Sequence, residues 1–374
     1  MTESKAIESL SQEYRVVQPP AWVTERAHIQ TMEEYEELYR RSVDDPEGFW
    51  SDMAEEMLHW HKRWNTVLDY DFHKPYVKWF EGGQLNVTYN CIDRHLKGWR
   101  RNKAALIWES DEGRTKMYTY QSLYYKVCKL ANVLKKHGVK KGDRVALYLP
   151  MIPELPIAML ACARIGAVHS VVFGGFAPNE LAVRIDDARP VLIVTASCGI
   201  EGKKVIEYKP LIDRAIDLAE HKVKRTIIYQ RPQASAALTD GRDVDWAAAE
   251  KKAKPTGCVP VKATDPLYIL YTSGTTGKPK GILHTCGGYM TGVYATMKYV
   301  FDVKDQDVYW CTADIGWVTG HSYVVYGPLA CGATQVIYEG APDWPDQDRF
   351  GQIVEDYGVS IFYTAPTAIR AFMK

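Results

Sequence analysis

Residues 144–173, "RVALYLPMIPELPIAMLACARIGAVHSVVF", contain two short apolar runs on either side of a longer apolar segment. The run "RVALYLP" predicts a buried strand, residues 153–165 predict a helix that ends at Gly166, and "AVHSVVF" predicts the next strand. A strand, a helix and a strand within about 30 residues form a βαβ unit, in which the two strands are parallel. The stretch therefore predicts a protein of the α/β class.

The segments on both sides continue this alternation. Upstream, "AALIWES-DEGR-TKMYTY" predicts a hairpin that turns at Asp111 and Gly113, and a helix should follow from about 120 to 137, capped by Thr119 and ended by Gly138. The apolar face of this helix repeats at spacings of three and four, through Leu123, Val127, Leu130, Ala131 and Leu134. Downstream, "PVLIVTA", "RTIIYQ" and "PLYILYTSG" predict further strands, with a helix at about 210–220.

Composition excludes several classes of protein. With 46% hydrophobic and 25% charged residues the chain is typical of a globular protein, and its 46 basic residues balance 46 acidic ones. We therefore expect neither a nucleic-acid nor a membrane partner. There is no apolar run of about 20 residues and no signal-peptide pattern. The eight cysteines stand far apart without a CxxC pair, which favours reduced thiols and a cytoplasmic location.

The chain length suggests two or three domains or subdomains. We expect an aromatic-rich, irregular extension over residues 1–100, a first α/β subdomain over 101–262, and a second, incomplete one over 263–374. The extension contains His59 and His61, but no third ligand stands at helical spacing. A packed or solvated pair is therefore expected there, and no metal site is predicted.

The string "YTSGTTGKPKG" at 271–281 has the composition of a polyphosphate-binding loop. Its glycines let the backbone present N–H groups at close range, while hydroxyls and lysines add donors and positive charge. It is not a Walker A loop, because only two residues separate its first two glycines and proline follows the first lysine. A solvated hairpin tip is the alternative. The predicted phosphate-binding residues are Thr272, Ser273, Gly274, Thr275, Thr276, Gly277, Lys278 and Lys280.

This string resembles the phosphate-loop signature of the adenylate-forming superfamily. Further segments, "VVFGGFAPNELAVRIDDARP", "WCTADIGWVTGHSYVVYGPLACGAT" and "YTAPTAIRA", are similar to acetyl-CoA synthetases (acetate–CoA ligases). The resemblance implies stacked β-sheets flanked by helices. It also implies a reaction in which a carboxylate and ATP form an acyl-adenylate and pyrophosphate, and coenzyme A then displaces AMP. ATP, Mg²⁺ and coenzyme A are thus expected as substrates and cofactor.

The same resemblance assigns the acyl pocket to "DIGWVTGHSY". Val318 and Thr319 should line a small cavity around the methyl group of acetate, with Trp317 beside them. For His321 we expect ordinary packing in the core. Because one methylene changes binding by only about 1–3 kcal/mol, propionate is expected as a slower substrate.

The coenzyme A contacts are expected in "SCGIEGKKVIEYKP" and "GAPDWP". The residues that match the family's positions are Glu201, Gly202, Lys203, Lys204, Thr319 and Asp343. Two of them depart from the family pattern: Glu201 replaces a common arginine, and Asp343 replaces a common asparagine. The "GIE" variant also resembles propionyl-CoA synthetases, which keeps that substrate as an alternative. A solvated charge cluster is the alternative for the two lysines.

The chain ends in "TAPTAIRAFMK", where a helix opened by Pro366 has no stop signal. The family continues beyond this point with its adenine, ribose and magnesium contacts and a mobile C-terminal domain that carries the catalytic lysine. We therefore expect the N-terminal part of a ligase, with no catalytic residue and no metal ligand before Lys374, and the C-terminal domain as its partner. A non-catalytic nucleotide- or coenzyme A-binding module is the alternative of another class.

Overall fold

The computed structural model describes residues 17–272 and 279–373. The strands in this part of the chain are β1 (Thr66–Asp71), β2 (Tyr76–Glu81), β3 (Gln84–Leu85), β4 (Ala104–Ser110), β5 (Thr115–Thr119), β6 (Arg144–Tyr148), β7 (Val168–Val171), β8 (Leu192–Ala196), β9 (Cys198–Glu201), β10 (Lys204–Glu207), β11 (Thr226–Tyr229), β12 (Asp243–Asp245), β13 (Val261–Lys262), β14 (Pro266–Thr272), β15 (Lys280–Thr285), β16 (Val308–Cys311), β17 (Thr334–Glu339) and β18 (Ile361–Tyr363).

The α-helices in the same residues are α1 (Ala21–Thr24), α2 (Met32–Asp44), α3 (Pro46–Met57), α4 (Val87–Cys91), α5 (Tyr120–Lys136), α6 (Glu154–Arg164), α7 (Pro178–Ala188), α8 (Tyr208–Leu218), α9 (Trp246–Lys251), α10 (Cys286–Tyr299), α11 (Val318–Gly320), α12 (Gly327–Cys331), α13 (Arg349–Tyr357) and α14 (Pro366–Phe372). Two 3₁₀ turns, Asp93–Lys97 and Trp99–Asn102, and one π-helical turn, His321–Tyr326, complete the regular structure.

Two larger sheets organise these elements. The seven-stranded sheet has the order β12-β11-β8-β6-β7-β14-β15 and the five-stranded sheet the order β18-β16-β17-β4-β5. Neighbouring strands are parallel except for the edge pairs β14–β15 and β4–β5, which are antiparallel. Each sheet takes strands from both sides of residue 262. The sheets therefore do not divide the chain at residue 262, and the boundary between two subdomains at that residue stays a prediction.

The βαβ unit predicted for residues 144–173 is confirmed. β6 and β7 are parallel neighbours in the larger sheet, joined by α6. All eleven residues of α6 are buried, because the helix is covered on every side. This explains why the stretch is apolar throughout and shows no alternation: strands of a parallel sheet are covered on both faces.

The predicted hairpin and the following helix are also confirmed. β4 and β5 pair across the turn at Asp111 and Gly113, and α5 begins after Thr119, whose hydroxyl accepts the N–H of Ser122 at 3.1 Å. The five residues of the predicted apolar face of α5 are all buried. Gly138 follows with a φ of 93°, which side chains disfavour. Local sequence patterns thus placed this element correctly at both ends.

The N-terminal region is more regular than its sequence suggests. Residues 17–102 contain four α-helices, the antiparallel β1–β2 hairpin and two 3₁₀ turns, so the expectation that this region is irregular was wrong. Many of its aromatic residues pack against the main core, Trp60, Trp64 and Phe80 among them. No helix among the described residues combines the length and the apolar character that crossing a membrane requires.

Candidate functional site

The predicted phosphate loop connects the last two strands of the seven-stranded sheet. β14 and β15 pair from Pro266 with Thr285 to Thr272 with Lys280. Thr272 and Lys280 are both exposed, at the end of this hairpin where the loop connects the two strands. Ser273, Gly274, Thr275, Thr276, Gly277 and Lys278 lie outside the described residues. Two of the eight predicted phosphate-binding residues are therefore located, opposite each other at the base of the loop.

A tight turn after β16 begins the predicted acyl segment, which is the stretch "DIGWVTGHSY" at residues 314–323. The carboxylate of Asp314 accepts the N–H of Gly316 at 2.6 Å, and the carbonyl of Asp314 accepts the N–H of Trp317 at 3.2 Å. A Cβ on Gly320 would clash with that carbonyl oxygen, so a side chain cannot be accommodated there. Burial raises the pKa of Asp314 to about 6, with the Gly316 N–H opposing the rise. The turn thus holds a carboxyl group in an environment that disfavours its charge.

The three predicted acyl-pocket residues follow this turn at the surface. The side chain of Trp317 is 60% exposed, Val318 is also exposed, and Thr319 is half-buried. Trp317 lines a cavity of about 180 Å³, whereas Val318 and Thr319 do not border it. The residues that line it are Val171, Phe173, Phe176, Arg184, Leu270, Tyr271, Gly316 and Trp317. The cavity therefore lies between the acyl segment and the carboxyl ends of β7 and β14.

Sequence reasoning missed several of these lining residues. Arg184 is buried on α7, where its guanidinium lies 4.7 Å from the ring of Phe176 and 5.5 Å from that of Tyr271. Tyr271 donates its hydroxyl to Asp187 at 2.6 Å, and burial raises its pKa. One signal was available: β7 and β14 are parallel, and ligands in such sheets bind beyond the carboxyl ends of the strands.

Buried aromatic side chains support the acyl segment from below. His321 is fully buried, which confirms its prediction as a core residue, and its ring lies 4.4 Å from that of Tyr268. Its backbone N–H and its Nδ1 are each 3.1 Å from the carbonyl oxygen of Trp317. Burial lowers the pKa of His321 to about 4, so the imidazole is neutral at pH 7. A neutral, fixed ring thereby anchors the helical turn that begins after Trp317.

The structure brings together most of the residues predicted to contact coenzyme A. β9 and β10 form a hairpin in which Glu201 pairs with Lys204, with Gly202 at a φ of 54° in the turn. The Lys203 ammonium lies 5.4 Å from the ring centre of Trp344, the residue after Asp343. The four charged side chains of this group are all exposed, and the carboxylates of Glu201 and Asp343 balance the two lysines. Among the described residues, no hydrogen bond, ion pair or aromatic contact connects Thr319 with this group.

A buried ion pair holds the two segments of this group in place. Arg231, which follows β11, donates to both carboxylate oxygens of Glu339 at 2.7 and 2.8 Å. It also donates to the carbonyl of Cys198, the first residue of β9, at 3.2 Å. Burial raises the pKa of Glu339 to about 7, and Arg231 opposes this rise. Arg231 therefore links the end of β17, just before the segment of Asp343, to the hairpin that carries Lys203.

The two histidines of the N-terminal region lie at the surface, where they contact each other and Tyr89. The rings of His59 and His61 are 5.4 Å apart, and His59 also lies 4.6 Å from the ring of Tyr89. Burial lowers the pKa of His59. Across the described residues, no group of three or more His, Cys, Asp or Glu side chains could hold a metal ion.

Comparisons with known proteins identify the family of this chain. The model of the AMP-binding enzyme family matches residues 92–374, and that of the acetyl-coenzyme A synthetase N-terminus matches residues 35–91. The chain is 51% identical over 364 residues to an acetyl-coenzyme A synthetase of Halorhodospira halophila, and 52% identical over 382 residues to one of Gemmatimonas aurantiaca. These alignments cover 96% and 98% of this chain and 56% of each relative.

Among solved structures, an acetoacetyl-CoA synthetase from Streptomyces lividans is similar, with a TM-score of 0.83 and 27% sequence identity. The match covers 94% of this chain and 53% of that one. The chain thus spans about half the length of the proteins it matches. The AMP-binding model accounts for most of the chain, including both sheets, the phosphate-loop hairpin and the acyl segment. The chain therefore belongs to the AMP-binding enzyme family.

Proposed function

We propose that these residues serve an acetate–CoA ligase of the AMP-forming type. In this reaction an acetate oxygen attacks the α-phosphate of ATP, which forms acetyl-adenylate and releases pyrophosphate. The thiol of coenzyme A then attacks the acetyl carbon, so that acetyl-CoA forms and AMP leaves. The observation that carries the proposal is the shared cavity: Tyr271, just before the phosphate loop, and Gly316 and Trp317 of the acyl segment form parts of one wall. The relatives named acetyl-coenzyme A synthetase support the same reaction.

We assign the binding of the departing pyrophosphate to the phosphate loop. Negative charge develops there as the bond to the α-phosphate breaks, and oriented N–H groups, hydroxyls and lysines stabilise it with little reorganisation. Thr272 and Lys280 face each other at the base of the hairpin, so their side chains would stand at the entrance of the phosphate site. The residues between them complete the proposed set.

The acyl segment is assigned selection for a short carboxylate. Val318 and Thr319, next to Trp317, would contact the methyl group of acetate once the substrate is bound. Propionate, with one more methylene, is the alternative substrate, because a single methylene changes binding by only about 1–3 kcal/mol.

Coenzyme A is assigned to the β9–β10 hairpin and the segment of Asp343. The contact of Lys203 with Trp344 supports this assignment because it joins the two segments into one surface. Glu201 and Asp343 offset the charge of Lys203 and Lys204, so the surface should bind the phosphates of coenzyme A weakly. Thr319 is included as the contact closest to the acyl group.

Mg²⁺ belongs to the proposal as an ion that accompanies ATP. When bound to the phosphates it neutralises part of their charge. The described residues form no metal site of their own, so no protein ligand is assigned here. A cytoplasmic location, as expected from the dispersed cysteines, completes the proposal.

The test is the exchange of labelled pyrophosphate into ATP, which reports formation of the adenylate, measured on a protein that carries these residues together with the expected C-terminal domain. We expect exchange that depends on acetate and falls at least about tenfold in Lys280→Ala, because the loop loses a cation at the departing pyrophosphate. Lys251→Ala, which alters an exposed lysine at the end of α9, is the matched control. Faster exchange with propionate would favour the alternative substrate. Binding of ATP or coenzyme A without any exchange would favour the non-catalytic module.

A further inference from the structure

Helix α2 exposes a continuous apolar stripe. Met32, Tyr35, Tyr39 and Val43 are 63%, 48%, 60% and 60% exposed, and no residue of this helix is buried. Their spacings of three, four and four residues place them on one face of the helix. Single exposed apolar side chains are normal on a protein surface, but a continuous patch on one face marks an interaction site.

The helix that carries this stripe is well defined. The hydroxyl of Thr31 accepts the N–H of Glu34 at 3.1 Å, and the carboxylate of Glu34 accepts the N–H of Gln30 at 2.7 Å. These two hydrogen bonds fix the first turn of the helix and the residue that precedes its N-cap. Leu38, on the inner side, packs against the core of the protein. The stripe is therefore presented on a fixed helix and not on a fraying end.

Charges along α2 are arranged so that two antiparallel copies of the helix are complementary to each other. Glu33 and Glu36 lie in the N-terminal half and Arg40 lies in the C-terminal half, along the same border of the stripe. If two copies of α2 lie antiparallel, Tyr35 meets Tyr39 of the other copy. Glu33 then faces Arg40 of the other copy, and the two-fold axis repeats both contacts.

We propose that α2 pairs antiparallel with α2 of a second copy of this chain, which forms a two-fold symmetric dimer. The helix has 13 residues and is about 20 Å long. One such helix pair is small compared with the roughly 1,000 Å² of a stable interface. The dimer should therefore be weak, with a dissociation constant on the order of 10–100 µM.

Sedimentation equilibrium of the 374-residue chain, from about 1 to 200 µM, tests this proposal. We expect Arg40→Glu to weaken dimerisation at least about tenfold, since it places like charges opposite each other twice per dimer. Glu33→Arg should do the same. The exchange variant Glu33→Arg/Arg40→Glu restores the pairing and should recover the wild-type dissociation constant. Circular dichroism verifies that each variant is folded.

Arg101→Glu, at an exposed arginine outside α2, is the matched control and should leave dimerisation unchanged. A chain that stays monomeric over the whole concentration range would overturn the proposal. That result is expected if another segment of the same chain covers the stripe. Association that persists in both single variants would also overturn it, since the contact would then lie elsewhere. Failure of the exchange variant to recover would exclude the antiparallel register.

Discussion

Replacing Asp314 with asparagine should stabilise the protein at neutral pH. Burial raises the pKa of this carboxyl group from 3.8 to about 6, which means that the folded protein disfavours its charged form. At about 1.4 kcal/mol for each pH unit between the two pKa values, the ionised carboxylate lowers the free energy of unfolding by about 3 kcal/mol at pH 7. Asparagine carries no charge and keeps an oxygen that can accept the N–H of Gly316.

The stabilisation should depend on pH in a defined direction. Between about pH 4 and pH 6 the folded wild-type protein holds a proton on Asp314 that the unfolded chain releases, so its stability falls as pH rises through this window. Below about pH 3 the carboxyl group is protonated in both states and contributes nothing. The difference between variant and wild type should therefore grow from about 0.5 kcal/mol at pH 4 to about 3 kcal/mol at pH 7.

Urea denaturation of both proteins at pH 4, 5, 6 and 7.5 measures this difference. Asp240→Asn, at an exposed aspartate in the turn before β12, controls for the loss of one negative charge. A stabilisation of equal size at pH 4 and pH 7.5 would show that it does not arise from titration. No stabilisation at pH 7.5 would refute the argument that burial raises the pKa of this carboxyl group.

Three further outcomes are expected. Gly320→Ala should lower the free energy of unfolding by about 3 kcal/mol in urea denaturation, because its Cβ would collide with the carbonyl of Asp314; the matched Gly351→Ala, where a Cβ meets open space within α13, should instead raise it by up to about 1 kcal/mol. Glu201→Arg should tighten coenzyme A binding about tenfold in titration calorimetry at low salt, and a gain that persists at 1 M salt would contradict the electrostatic reason. Val318→Ala should raise pyrophosphate exchange with butyrate relative to acetate by about tenfold, and an unchanged ratio would remove Val318 from the acyl pocket.

Local patterns in the sequence were sufficient for the elements of the α/β core. The cap at Thr119, the apolar face of α5 and the βαβ unit from β6 to β7 each follow from interactions within a few residues or a single crossover. The N-terminal region was predicted less well because its aromatic residues follow no simple period. Its helices and the β1–β2 hairpin pack on a surface that only the remainder of the fold provides.

The candidate site depends on contacts that no local pattern contains. β14 lies beside β7 although about a hundred residues separate them, and the acyl segment comes from the other sheet. A motif could indicate a phosphate loop, but the residues that share the cavity with Tyr271 are set by strand order. Arg184 is the clearest example of a site residue that the sequence does not reveal. In the sequence it is a single arginine, which is equally typical of a side chain exposed to solvent. Its burial beside the rings of Phe176 and Tyr271 is what marks it as part of the site. Since that burial follows from the place of β14 in the sheet, sheet order is the information that the sequence did not supply.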